Sequence, residues 1–329
     1  MMFARQFSLW LAVCTLAAAQ TASACDTCGC SINSRGSASN QSSGAMVTTP
    51  TASSLGRGHG SIGFLFEHQR YNKIPALDAH MLHHQGHDVH GKNHEEIYTT
   101  SLGYGVTDRL DLFLTAPIVS RSSIQIEDHD ALGRDERASG FGDMQLLGKY
   151  RFWDDGAQAA AVLGMKMPTG ETSDLNKSDE KFGPELQPGT GGWDLVTGLA
   201  LSRAIGDRWS FATGWGYTYR GEGAQDWKAG DVFRYNAGVS YLLGAPGRWP
   251  NASVSLELHT EWALRDHSRE EKHAQDSGGT TVLLSPGVSA NVTPSLTLFA
   301  SLPVPIYQNL GGQHEELVYE VLSGAAWRF

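Results

Sequence analysis

The sequence predicts an all-β protein, an up-and-down antiparallel transmembrane β-barrel of about 12 strands with short periplasmic turns and long extracellular loops. Three observations predict it. Segments of apolar–polar alternation recur along the chain. The spacers between them alternate short and long. No stretch beyond residue 24 approaches 18 consecutive apolar residues, so no transmembrane helix is expected. Composition agrees, with Gly at 38 of 329 positions, Trp at 9, Tyr at 10 and Phe at 12 under a negative mean hydropathy. A barrel needs an apolar outer face and a polar lumen at once, with aromatic residues where strands cross the membrane interfaces.

The alternation is specific about faces. In SIGFLFEHQ, Ile62, Phe64 and Phe66 share one face, with Glu67 and Gln69 on the other. LDLFLTAPI sets Leu110, Leu112, Leu114, Ala116 and Ile118 against Asp111 and Thr115. DMQLLGKYRF sets Met144, Leu146, Tyr150 and Phe152 against Asp143, Gln145, Lys149 and Arg151. VFRYNAGVSYLL and SVSLELHTEWAL place Arg234, Asn236, Ser240, Glu257, His259 and Glu261 on their polar faces. The final ELVYEVLSGAAWRF alternates Tyr319, Val321, Ala325, Trp327 and Phe329 with Glu320, Gly324, Ala326 and Arg328, and resembles the closing strand of an outer-membrane barrel.

Short spacers, GVTDR, WDDGAQ, AIGDR, LGAPGRWP and NVTPS, are rich in turn formers. Long ones fall at about 73–94, 122–140, 169–192, 221–229 and 265–278, with a shorter sixth near 309–314. This places both termini of the barrel on the periplasmic side of the outer membrane of a Gram-negative bacterium. Upstream, Arg5 and the apolar run Phe7–Ala19 read as a signal peptide over 1–24, with Ala22-Ser23-Ala24 as the cleavage pattern. A Cys-containing, Ser/Gly-rich leader over 25–57, flexible or lying in the barrel mouth, would then precede a barrel over 58–329. Acylation of Cys25 is the alternative to ordinary cleavage, although lipoprotein sites usually carry Leu where Ala22 stands.

GFGDMQLLGKYRF (140–152), MKMPTGE (165–171), LQPGTGGWDLVTGLALSR (186–203) and ASLPVPIYQNLGG (300–312) follow one another in an order that resembles the outer-membrane transporter family of the meta-pathway phenol-degradation-like type. The resemblance implies a β-barrel that passes small molecules, hydrophobic ones included. In physical terms these motifs are architectural. Pro168 lacks an N–H and ends a strand, and the glycines of PGTGGWD lead the chain back into the next one.

Two clusters raise metal chemistry. Cys25, Cys28 and Cys30 form a Cys-x-x-Cys-x-Cys run, an odd number of thiols for an oxidising compartment. A local disulfide with one spare thiol, a soft-metal site and lipidation all remain open. His80, His83, His84, His87, His90 and His94 are six of the chain's 13 histidines, in the first long loop. Pairs such as His83/His87 and His80/His84 would share a face of a helical turn, with Asp78, Asp88, Glu95 and Glu96 nearby, and Cu or Zn would suit them. A solvated, pH-responsive loop explains the same residues. The topology puts the cysteines on the periplasmic side and the histidines outside, so they form one site only if the leader threads the lumen.

Lumen-facing charges are expected at Glu67, Asp111, Asp143, Lys149, Arg151, Lys166, Arg234, Glu257, His259, Glu261, Glu320 and Arg328, of which Glu257, His259 and Glu261 make the sharpest acidic patch. Both signs occur, so no strong ion selectivity follows. The function expected is a channel or passive transporter for a small solute, metal-linked through the two clusters. The alternative is a non-conducting barrel that binds metal or anchors a periplasmic partner. An enzyme is not expected, since no Gly-x-Ser-x-Gly element occurs. A net charge of −10 without a basic cluster argues against nucleic acid. The partners expected are membrane lipid, a small-molecule or ion solute and the outer-membrane assembly machinery.

Overall fold

The computed structural model describes residues 46–72, 81, 91–125, 134–177, 179–268, 277–312 and 315–329. Cys25, Cys28 and Cys30, and the histidines at 80, 83, 84, 87 and 90, lie outside the described residues. Twelve strand positions form one closed antiparallel barrel. They are β1 (Gly60–Tyr71), β2 (Gly91–Gly105), β3 (Leu110–Gln125), β4 in two pieces, β4a (Arg134–Phe141) and β4b (Gln145–Asp155), β5 (Ala157–Lys166) and β6 (Asp194–Ile205). There follow β7 (Trp209–Arg220), β8 (Val232–Leu242), β9 (Asn251–Ala263), β10 (Gly279–Asn291), β11 in two pieces, β11a (Leu296–Ser301) and β11b (Val304–Leu310), and β12 (Leu317–Arg328). Each pairs with its neighbours in sequence, and β1 pairs with β12 from Ser61↔Arg328 to Tyr71↔Leu317 to close the ring. The Gly60 and Phe329 backbones exchange hydrogen bonds of 2.8 and 3.1 Å at this seam.

Side chains alternate as a barrel in lipid requires. Phe64, Leu112, Leu163, Leu195, Leu256 and Val288 are exposed on the outer face. Trp153, Trp209, Trp327 and Phe329 mark the periplasmic rim, and Tyr98, Tyr217, Phe233 and Trp262 the opposite one. The wall is longer than the sequence predicts at one point. Where a loop is expected over 122–140, β3 runs on to Gln125 and pairs with β4a from Ile118↔Phe141 to Gln125↔Arg134. Residues such as SRSSIQ and RDERASG are polar on both faces, so the period that marks a lipid-embedded strand is missing although the backbone still pairs. For the same reason His94, expected in a loop, pairs as a β2 residue with Arg70 and Ser122.

Two of the outer loops are stitched together. Trp227–Lys228 pairs with His267–Ser268, and the Asp266 carboxylate accepts the Gly230 N–H at 2.7 Å. Asp266 is buried, and burial pushes its carboxyl up to about 6 although the Gly230 bond favours the charged form. A folded-state value above the ordinary carboxylate range means that the folded form keeps its proton longer. The stability contribution is therefore complete at low pH and is lost as pH rises towards and through about 6. Asp266→Asn, which stays neutral, should gain stability relative to the native protein as pH rises from about 4 to about 7. Urea unfolding of the two proteins across that range checks this, and a gap independent of pH would assign the titration elsewhere.

Candidate functional site

The described part of the leader, residues 46–57, lies in the lumen. From Gly58, bonded to Gly105 at the periplasmic end, the chain runs backwards in sequence up the barrel interior to Met46. Glu257 of β9, 1 % exposed, grips residues 47–49. Its two carboxylate oxygens accept the Val47, Thr48 and Thr49 N–H groups at 2.8, 2.9 and 2.6 Å and the Thr48 hydroxyl at 2.7 Å. With the Thr48 proton given to Glu257, the His259 Nε2, 2.6 Å from the same hydroxyl oxygen, is the donor in that pair. Lower down, Ala52 packs on Ala160 and Ala200 and its N–H reaches the Ser202 hydroxyl at 3.2 Å. Leu55 packs against Phe113, Leu147, Val162 and Val196. Asp111 receives the Ser54 hydroxyl at 2.8 Å and the Leu55 N–H at 3.1 Å, and pairs with Lys149 at 3.7 Å. Wall glycines make the room. A Cβ at Gly214 would stand 2.8 Å from Pro50, and one at Gly238 3.0 Å from both Met46 and Thr49.

From the other end, the loop over 167–193 folds against the lumen face of β4a. Phe182 and Leu186 bury on Ala138. The Arg121 guanidinium, 1 % exposed, pairs with Glu95 at 2.9 Å and donates to the Gln187 carbonyl. The base of this loop is tied by a buried charge knot. Lys166 Nζ lies 2.9 Å from Asp143 and 3.0 Å from Asp194 and donates to the Thr190 hydroxyl. Asp143 also accepts the Gly170 N–H at 2.9 Å, the Thr190 N–H at 2.9 Å and the Thr190 hydroxyl at 2.7 Å. Here GFGD, PTGE and PGTGG meet. A Cβ on Gly170 would stand 2.6 Å from the Gly189 Cα and 2.8 Å from the Gly142 carbonyl carbon, so backbone crosses backbone at this point.

The wall itself is interrupted twice in its outer half. At Gly142–Met144 strand β4 breaks, and beyond the break loop residues take over its far edge, with Glu171 N–H bonded to the Phe141 carbonyl at 2.8 Å. At Leu302–Pro303 strand β11 breaks, and β11b continues to pair with β10. Towards β12 its backbone ladder ends. Instead the Gln308 side chain donates to the Leu317 carbonyl at 3.0 Å and accepts the Leu317 N–H at 2.9 Å, and Glu320 N–H reaches the Pro303 carbonyl at 2.9 Å. Pro303 and Pro305 have no N–H to offer a ladder. Ile306, Tyr307 and Val318 are exposed around this seam.

Of the sequence-derived lumen residues, Glu67, Asp111, Lys149, Glu257 and Glu320 are buried, and Arg151, Arg234, His259, Glu261 and Arg328 are half-buried. They do not line one open bore. Glu257 and His259 hold the leader, Arg234 pairs with Glu261 at 2.7 Å, and Arg151 pairs with Asp154 at 3.2 Å near the periplasmic rim. Glu67 accepts the Gln69 amide at 2.7 Å. Sequence reasoning missed Arg121, Thr190 and Asp194, and set Glu95 beside the histidines instead of against Arg121. Glu95 and Arg121 border the segments read as loops at 73–94 and 122–140, where the alternation fades, and Thr190 acts through a turn whose partners are distant in sequence. Among the described residues no group of three or more His, Cys, Asp or Glu side chains is placed to hold a metal ion.

Glu257→Gln sets an amide N–H₂ against leader N–H groups and removes the charge that strengthens four bonds. A loss of about 2 kcal/mol, or roughly 30-fold in the ratio of docked to undocked leader, is expected. Single-channel recording should show more frequent excursions to higher ionic conductance, whereas current identical to the native protein would mean that Glu257 does not latch the leader.

Comparison with known proteins places this architecture. The chain is similar to the COG4313 outer membrane channel from Pseudomonas putida F1, at 18% identity and a TM-score of 0.62, over 86% of this chain and 100% of that one. It is similar to the NanC porin at 9% identity and a TM-score of 0.46, over 80% of this chain and 98% of that one. It is also similar to the β domain of the Bordetella autotransporter BrkA at 10% identity and a TM-score of 0.45, over 83% and 100% of the two chains. No curated protein matches the chain. The fold is that of a Gram-negative outer-membrane channel. The profile of the family described as "Putative MetA-pathway of phenol degradation" matches residues 84–307, and the chain belongs to that family.

Proposed function

We propose that this outer-membrane channel conducts a small hydrophobic solute and passes it through the wall at the β11b–β12 seam, not along the barrel axis. The observation that carries the reading is the seam itself, where one glutamine side chain stands in for a backbone ladder. The axial path supports it, since leader residues 46–57 lie in the lower lumen and residues of the 167–193 loop in the upper. Apolar surface is available to such a solute at Ile306, Tyr307 and Val318. The engagement of the lumen charges in holding chain segments favours a conduit over an enzyme built on those charges.

Gln308→Ala removes both staple bonds. Proteoliposomes carrying it should take up an apolar aromatic solute several-fold faster than those with the native protein, with single-channel ionic conductance unchanged. Ionic conductance rising while apolar uptake stays constant would overturn the lateral path. A barrel that passes neither ions nor apolar solute would support the second reading, an occluded barrel that binds or anchors, which the filling of the lumen from both ends favours.

The metal-linked element of the proposal rests on Cys25, Cys28 and Cys30 and on His80, His83, His84, His87, His90 and His94, with Cu or Zn as the ion. It is supported by the described leader entering the lumen from below, which removes the topological reason for keeping the two clusters apart. Micromolar Cu(II) or Zn(II) should alter channel current, and His→Ala at 83, 84 and 87 should abolish the response. Current indifferent to both ions would leave the histidines as a solvated loop.

A further inference from the structure

Outward-facing residues of β1, β2, β3 and β4a fall into three aligned rows near the outer rim. The register sets Phe66, Tyr98, Ile118 and Phe141 side by side. The next row outward is His68, Glu96, Ser120 and Ser139, and the one beyond it is Arg70, His94, Ser122 and Arg137. The first row is apolar and faces lipid, with Phe66 and Tyr98 rings 5.0 Å apart and Ile118 53% exposed. The change from this row to the next is abrupt, within two residues of each strand. It marks the level at which acyl chains end and headgroups begin.

Above that level the face is a sheet of hydrogen-bond donors. Arg137 is fixed in place, with Nε on the Ser120 hydroxyl at 2.6 Å and Nη2 3.4 Å from Glu96. The His68 imidazole lies 3.8 Å from Glu96 and stacks on His94 at 6.0 Å, with Tyr319 at 6.2 Å on its other side. Glu96 is the acidic group within these rows, and both of its charged contacts face it from within them; Glu316, exposed opposite Asn72, stands one outward position beyond Arg70. Within the rows two guanidinium groups stand against the single Glu96 carboxylate, with the Glu316 carboxylate beyond them at the rim. On the far side of the barrel the same level carries Leu195, Tyr217, Phe233, Trp262 and Tyr307, with Thr280 and Asn309 in register beside Trp262, and no arginine stands in that row.

We propose that this face is a binding site for the phosphate group of an anionic glycolipid of the outer leaflet. The guanidinium groups of Arg70 and Arg137 and the hydroxyls of Ser122 and Ser139 take the phosphate oxygens, while the Phe66–Tyr98–Ile118 row receives the acyl chains below. The lipid source follows from that continuity, since a free phosphate would gain nothing from the apolar row. Arginine suits the task because its planar fork matches phosphate oxygens, and partial removal from water strengthens the contacts relative to a fully exposed pair. Glu96 acts as a positioning residue that orients Arg137. The site also lies on the wall opposite the loop anchored by Arg121 and Glu95, so a bound lipid would brace the strands from outside where the 167–193 loop loads them from inside.

The test is native mass spectrometry of the full barrel, released from detergent micelles, with bis-phosphorylated lipid A, its dephosphorylated form and inorganic phosphate. The native protein should retain the phosphorylated lipid, bind the dephosphorylated one at least tenfold more weakly and show no saturable uptake of inorganic phosphate. Arg70→Ala with Arg137→Ala should lose at least tenfold in affinity for the phosphorylated lipid, and Arg137→Lys should retain part of it. Retention of heat-modifiable migration on gels would show that the double variant is folded. Should that variant fail to fold, Arg70→Gln alone, which keeps the side-chain length, is expected to lose affinity in the same direction. Equal retention of the phosphorylated and dephosphorylated lipids, equal affinity in the folded variants, or binding of inorganic phosphate at the same concentration would each overturn the proposal.

Discussion

A backbone amide inside a bilayer has no water to bond, so every N–H and C=O that crosses it must find a partner within the protein. For a chain with no apolar helix the solution is a ladder closed on itself. The pairing of β1 with β12 supplies that closure, down to the mutual Gly60–Phe329 bonds. Under this constraint an interrupted ladder is a costly feature and calls for replacement partners. Those partners are present. Loop backbone from Glu171 serves the broken edge at Phe141, and the two ends of the Gln308 amide serve both polar groups of Leu317. A wall so repaired holds its polar groups satisfied while giving up the cooperative stiffness of a continuous sheet.

The interior obeys a second form of the same rule. Buried charges in a lumen must be paired and hydrogen-bonded or they destabilise the fold. Glu257 is matched by consecutive N–H groups of the leader, and Lys166 by two carboxylates and a hydroxyl. Leader residues 46–57 and the 167–193 loop are therefore part of the barrel's core. Removing one partner from a buried pair of this kind costs on the order of 3–5 kcal/mol. That explains why GFGD, PTGE and PGTGG read as turns in the sequence yet converge on one knot in space.

Much of the wall was legible because lipid outside and polar groups inside impose a period of two, and because turn residues separate the strands. The lumen charges were legible for the same reason, as the polar half of that alternation. The leader's course was not. Its contribution to the Glu257 site is mostly backbone N–H, which every non-proline residue possesses, so Val47, Thr48 and Thr49 carry no pattern that distinguishes them from a flexible Ser/Thr-rich segment. The β3–β4a hairpin escaped because its residues stand above the lipid and need no apolar face. SLPVP was visible as a motif, but its consequence, a ladder without donors opposite β12, depends on which strand lies next to it. Local sequence does not encode that.

Magnitudes decide which part of this barrel yields first. Clearing the lower lumen means breaking four bonds to the Glu257 carboxylate and those to Asp111. Charge-assisted bonds contribute about 1.5–3 kcal/mol each, and the stripped carboxylates would need solvation of equal quality. Clearing the upper lumen means parting Arg121 from Glu95 and Gln187 and drawing Phe182 and Leu186 off Ala138. Opening the β11b–β12 seam means breaking three neutral hydrogen bonds, worth about 0.5–1.5 kcal/mol each. An apolar solute pressing into the seam supplies no replacement bonds, but it buries its own surface and that of Ile306 and Tyr307 at about 25 cal/mol per Å². Some 100–200 Å² of such contact is comparable with the bonds lost. On the proposed lateral path a polar solute would gain no such offset at the seam and would meet the costlier obstruction along the axis, so the wall would discriminate between solutes by chemistry before size is considered.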